Sequence, residues 1–142
     1  MTEVFGALVV DDEVHVRRTV SESDVYLFAG LTGDLNANHV DAVIAAGTSM
    51  GARVAHGALM LGFVSTASTS LIERSGVHAV AYGYDRVRFV KPVFFGDTVD
   101  VGYCVVSLEE STRKLTADVT ITNQRDEVVA VTQHLLFFPE GT

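Results

Sequence analysis

The sequence predicts an α+β fold in which a curved antiparallel sheet wraps around one long central helix, and three observations carry that expectation. Residues 57–72 carry no charge, and their apolar and small side chains spread around a helix rather than along one stripe. Beyond them the apolar period shortens to two, over segments 78–90, 98–108, 114–123 and 128–138. Short, turn-like connections between these segments favour antiparallel hairpins.

Val14 to Val20 reads as a first strand. Ser21-Glu22-Ser23-Asp24 then opens a helix, with Ser21 as N-cap and Asp24 at the capping-box position. Val25, Phe28, Ala29 and Thr32 follow at helical spacing, and Gly33 supplies a C-terminal stop that delivers Asp34 into a loop. Asp41 to Ala46 fits a helical turn or a short strand equally well, and Gly47 and Gly51 loosen the chain around it. The central helix starts near Gly57. Leu59, Met60, Leu61, Phe63, Val64, Ala67, Leu71 and Ile72 point in most directions from it, so it is expected to be enclosed by protein. In the strands that follow, Val99, Val101, Tyr103 and Val105 alternate, as do Leu115, Ala117, Val119 and Ile121. Turns are expected at Phe95-Gly96-Asp97, Glu109-Glu110-Ser111 and Gln124-Arg125-Asp126-Glu127. With no repeat and no linker, residues 1–142 are expected to form one domain. The arrangement is that of a hot-dog fold.

Composition narrows the function classes. At 142 residues and 48% hydrophobic, the chain has enough apolar material for a core without staples. Its one cysteine, Cys104, excludes an intrachain disulfide and points to a reducing compartment; in an apolar run, it is expected to be a small buried hydrophobe. Met1-Thr2-Glu3-Val4 lacks the basic region of a signal peptide, so a cytoplasmic location is expected. Residues 57–72 are too few, and too rich in Ser and Thr, for a membrane span. A formal net charge of −8 speaks against nucleic acid. It is equally awkward for a phosphorylated ligand such as coenzyme A, and only Arg86, Arg88 and Lys91 cluster as a basic patch.

Gly47-Thr48-Ser49-Met50-Gly51 matches a G-x-S-x-G nucleophile elbow, with Asp126 and His134 downstream in hydrolase order. The elbow works only where a strand of a parallel sheet enters it and a helix leaves it. Two helices ahead of a run of hairpins do not supply that, so the glycines are read as loop formers. His15, His78 and His134 have no partners at ligand spacing; ordinary strand or surface roles are expected, and no metal site. No Gly-rich phosphate loop or dinucleotide fingerprint is present.

The stretch from Phe28 to Asp41, FAGLTGDLNANHVD, together with Ala55-His56-Gly57-Ala58-Leu59, resembles the MaoC-like family of (R)-specific enoyl-CoA hydratases. There a helix ending in Gly-Asp runs into an Asn-rich loop with a histidine, and a His-Gly pair opens the central helix. The likeness extends weakly to Arg88-Phe89-Val90-Lys91-Pro92-Val93 and Gly96-Asp97. It departs at Ala37, where the family usually has proline, and the loss of that ring puts the loop's geometry in question. The resemblance implies a hydratase or dehydratase acting on a 2-enoyl thioester, with Asp34 and His39 as catalytic dyad and no cofactor beyond the coenzyme A of the substrate.

The chemistry needs such a pair. Hydration requires a base to take a proton from the water attacking C3 and an acid to protonate C2, and His and Asp divide these roles near neutral pH. Which does which is not legible in the sequence. Taken alone, Asp34 is a turn residue and His39 a loop histidine; the second motif favours catalysis. Attack at C3 places charge on the thioester oxygen. The first N–H groups of a helix have no intrahelical partner, and Gly57 there would let a ligand approach the backbone, the role the resemblance also implies. His56 is expected to orient the loop rather than react. Ser65 matches a family serine near the dyad and either positions substrate or His39, or bonds back to its own helix. Asn36 is expected to hold the loop or Asp34.

Two other functions compete. A thioesterase would use the same polarised carbonyl and would release free thiol from a saturated acyl-CoA. A non-catalytic acyl-binding module would bind without turnover. Leu59, Phe63 and residues 44–50 are expected to line an acyl tunnel, and the resemblance implies a homodimer or larger assembly. Nucleic acid and membrane partners are not expected.

Overall fold

The computed structural model describes residues 3–141. Five strands, β1 (Glu13–Thr19), β2 (Val80–Phe89), β3 (Thr98–Glu109), β4 (Lys114–Thr122) and β5 (Val128–Phe137), form one sheet in the order β1-β3-β4-β5-β2. All four pairings are antiparallel. The helices are α1 (Glu22–Thr32), the single turns α2 (Ala37–Val40) and α3 (Ala42–Ala46), and the 19-residue α4 (Gly57–Ser75).

The period-two pattern is what builds the inner face. Val99, Val101, Tyr103 and Val105 of β3, and Leu115, Ala117, Val119 and Ile121 of β4, are buried in one cluster with Met60, Val64, Ala67 and Leu71 of α4. The wrap covers one side of the helix. Ala58, Gly62, Ser65, Thr66 and Thr69 face outward, and because they are small they expose little apolar surface. The expectation of a fully enclosed helix is corrected to that extent within the single chain.

Alternation also explains two side chains. Cys104 lies between inward-facing Tyr103 and Val105, so it points away from the core and is half-buried rather than buried. His134 points inward and is fully buried. Its Nδ1 lies 2.9 Å from the Tyr103 hydroxyl, Tyr84 stacks on its ring at 4.5 Å, and its Nε2 has no partner among the described residues. Burial pushes its pKa down to about 4. Between pH ~6.5 and that value the unfolded chain takes up a proton that the folded chain refuses. Stability is therefore expected to fall as pH drops through this window, by up to about 3 kcal/mol. Urea unfolding at pH 7 and pH 4.5 measures it, and His134→Leu should flatten the pH dependence.

Helix α1 starts as its sequence dictates. The Ser21 hydroxyl accepts the Asp24 N–H at 3.1 Å, and the Asp24 carboxylate accepts the Ser21 N–H at 2.9 Å. Ser21→Ala removes half of this box and is expected to cost about 1 kcal/mol, read as a lower urea midpoint at unchanged m. At the other end Gly33 takes φ 80°, and its N–H donates to the Ala29 carbonyl. The ambiguous 41–46 segment is helical because the Asp41 carboxylate accepts the N–H groups of both Val43 and Ile44 at 3.0 Å.

Candidate active site

Three segments converge: the end of α1, the α2 turn and the start of α4. Past Gly33 the chain turns, and Asp34 is held by its backbone. Its N–H donates to Thr32 Oγ1 at 3.2 Å, while its carboxylate, 55% exposed, accepts the Asn36 N–H at 3.3 Å. Asn36 caps α2, its Oδ1 accepting the Asn38 N–H at 2.9 Å.

Val54 fixes the α2 turn from outside. Its N–H donates to the Asn38 carbonyl at 3.0 Å, and its carbonyl accepts from His39 Nδ1 at 2.6 Å. Val54 is itself bridged to Phe94, and Ala55 N–H donates to the Val93 carbonyl. A carbonyl can only accept, so His39 carries a proton on Nδ1, and in the neutral ring Nε2 is the atom with the lone pair.

His56 joins the other two. It is buried, and its Nε2 donates to the Asp34 backbone carbonyl at 2.9 Å. Its ring stacks on that of His39 at 3.7 Å between centroids and meets Phe28 at 4.8 Å. Side-chain atoms of Asp34, His39 and His56 lie within 4.8 Å of one another. That spacing also suits a cation, but His39 Nδ1 and His56 Nε2 are spent on backbone carbonyls, and His56 keeps only Nδ1, which is buried and has no partner among the described residues. The Asp34 carboxylate and His39 Nε2 remain as accessible donors, fewer than the three protein ligands of a catalytic zinc.

Because its ring is engaged at Asp34, His56 makes no side-chain cap on α4, although it occupies the N-cap position. The Leu59 N–H donates to the His56 carbonyl, and the N–H groups of Gly57 and Ala58, with no acceptor among the described residues, are left to whatever enters the adjoining cleft. That cleft has a volume of about 250 Å³ and is lined by Met50, Val54, His56, Gly57, Phe89 and Lys91 among others. Gly57 lies under the Phe89 ring, so closely that a Cβ would come within 2.7–2.9 Å of three ring atoms. A more open apolar hollow of about 420 Å³ is lined by Leu27, Phe28, Leu31, Leu59 and Phe63, and shares Phe28 with the histidine pair.

Asp34, Asn36, His39, His56 and Gly57 are thus brought together. Ser65 lies eight residues along α4 from Gly57, about 12 Å by helical rise, exposed and with no side-chain hydrogen bond among the described residues. Its carbonyl accepts from Ser68 Oγ. Of the expected tunnel residues, Leu59 and Phe63 line the hollow and Met50 the cleft, while Ile44 is 55% exposed and lines neither. Of the basic cluster, Lys91 lines the cleft and pairs with Glu127, whereas Arg86 and Arg88 are exposed on β2. Ser49 lies in a turn that no strand enters, and His134 belongs to the core, so the elbow is not assembled. Sequence reasoning missed Val54, whose contribution is its backbone, and Phe89, which only the fold brings over Gly57.

Residues 9–129 match the model of the MaoC-like domain family. The chain is 37% identical over 105 residues to an (R)-specific enoyl-CoA hydratase of Rhodospirillum rubrum, spanning 74% of this chain and 71% of that protein. It is 32% identical over 125 residues to a 3-hydroxybutyryl-CoA dehydratase of Methylorubrum extorquens, spanning 88% and 77%. Its fold superposes on the (R)-hydratase from A. caviae involved in PHA biosynthesis with a TM-score of 0.85 and 25% identity, covering 94% of this chain and 98% of that one.

Proposed function

Because the chain belongs to the MaoC-like family of hydratases and dehydratases, carbon–oxygen lyases, we propose that it adds water to a trans-2-enoyl-CoA or removes it from the (3R)-hydroxyacyl-CoA. The observation that carries this reading is the cluster of Asp34, His39 and His56 beside the uncapped start of α4. In the hydration direction, His39 Nε2, bare because Nδ1 is bonded to Val54, takes the proton of a water held between it and the Asp34 carboxylate. The water oxygen bonds to C3, and the C2–C3 π pair shifts toward the thioester, whose oxygen is met by the Gly57 N–H. A proton returned by the dyad to C2 completes the addition. Asn36 holds the loop, His56 ties Asp34 to His39, and Ser65 positions the substrate along α4.

The whole chain is proposed to work as one domain paired with a second copy. The free edge of β2, with Val80, Tyr82 and Phe89 exposed, and the outward face of α4 support this pairing. Sedimentation showing a stable and active monomer would refute it. Among the described residues no helix is long and apolar enough to cross a membrane.

The test of the activity is loss of enoyl absorbance with crotonyl-CoA, run beside a free-thiol assay. Hydration without thiol release is expected. Thiol release from a saturated acyl-CoA would transfer the site to thioester hydrolysis, and saturable binding without either reaction would make it a binding module.

A further inference from the structure

The α2 turn lacks the proline that would stiffen its first position, yet it carries His39. A second set of contacts reaches its far end. The last carbonyls of a helix have no intrahelical donor, and that of Val40 accepts the Tyr26 hydroxyl at 3.0 Å. The same hydroxyl accepts from the Arg53 guanidinium at 2.8 Å. Arg53 is held in turn by the Phe95 ring at 4.8 Å and by Glu22 at 3.5 Å, one helical turn before Tyr26 on α1. Arg53 also directly precedes Val54, the residue whose carbonyl receives His39 Nδ1. One chain of donors, guanidinium to hydroxyl to carbonyl, therefore ties α1, the end of α2 and the His39 acceptor together, each bond polarising the next.

We propose that Tyr26 and Arg53 are positioning residues that hold the α2 turn, and with it the His39 ring, in register with Asp34, in place of the missing proline at Ala37. This rests on the reading of His39 as a member of the dyad. Tyr26 is not among the residues that line the cleft, and its hydroxyl bonds to Val40 and Arg53 rather than to His39, so its effect on chemistry has to pass through the turn. Position 37 would accept the ring. It is the first residue of α2, where proline is favoured, and Asn36 before it has φ −55° and ψ 137°, the extended geometry a following proline needs.

The experiment compares wild type, Tyr26→Phe, Tyr26→Phe with Ala37→Pro, and His39→Ala, with folding followed by circular dichroism. Turnover of crotonyl-CoA is measured beside the nitrogen NMR signals of the His39 ring. Tyr26→Phe keeps the aromatic packing and removes only the hydroxyl. It is expected to lower kcat roughly 10-fold or more with KM within about twofold. It should also reduce the share of His39 protonated at Nδ1, and the added proline should restore both. An unchanged kcat, an effect confined to KM, His39 signals identical to wild type, or no rescue by proline would overturn the proposal. Activity surviving His39→Ala would instead remove the dyad reading. A dead His39→Ala beside an unaffected Tyr26→Phe removes the positioning role alone. The NMR arm reads the turn even in a sample with no turnover.

Discussion

Asp34→Asn and His39→Ala are each expected to lower the rate of crotonyl-CoA hydration by about 10²–10⁴-fold. The two losses should not add, because groups that move one proton set act as a unit, so the double variant should be little slower than the worse single one. The structure makes Asp34→Asn a clean test of chemistry. Its carboxylate is more than half exposed, and the bond that anchors His56 goes to the Asp34 backbone carbonyl, which asparagine keeps. His39→Ala is less neutral. It leaves the Val54 carbonyl without its imidazole donor and removes the partner stacked on His56, so a stability loss of about 1 kcal/mol is expected with it. Urea titration of both variants separates that loss from the loss of rate. An Asp34→Asn enzyme within a few-fold of wild type would exclude the carboxylate from proton transfer.

The second large effect is expected at Gly57. An alanine there places a methyl 2.7–2.9 Å from atoms of the Phe89 ring, closer than packed atoms tolerate, beside the cleft that both residues line. A fall in kcat of about 10²–10³-fold is expected, the scale of losing one backbone donor to an oxyanion. Two causes are folded together, displacement of Phe89 and obstruction of the N–H, and the pair Gly57→Ala with Phe89→Ala separates them. Phe89 is 53% exposed, so trimming it should do little harm to the core. If the double variant stays slow, the methyl itself blocks the approach. If it recovers, the glycine serves to seat the phenylalanine.

Much of this site was legible because its parts are local in sequence. The capping box Ser21–Asp24 and the stop at Gly33 fix both ends of α1 by short-range hydrogen bonds, so Asp34 could be placed at a turn before any tertiary contact was known. The alternating apolar residues of β3 and β4 likewise announced their inner face. What escaped was carried by backbone or by distant packing. The α2 turn is four residues long and is held from outside by Val54, so no periodicity could reveal it. Asp41 decided 41–46 only through two bonds to neighbouring N–H groups, which the residue types alone left open between helix and strand. Tyr26 carried no local signal, since its partner Arg53 lies 27 positions away. The apolar character of α4 suggested enclosure because Ala, Gly and Ser count as small but not as outward-facing.

The bond from His56 to the carbonyl of Asp34 has an evolutionary side. It grips position 34 by an atom that every amino acid possesses, so this bond does not depend on the side chain presented there. A lineage could exchange that side chain for a hydroxyl, an amide or a longer carboxylate and still keep the bracket, the stacked rings and the open helix start in place. New reactivity could then be sampled one substitution at a time, without first passing through an unfolded intermediate.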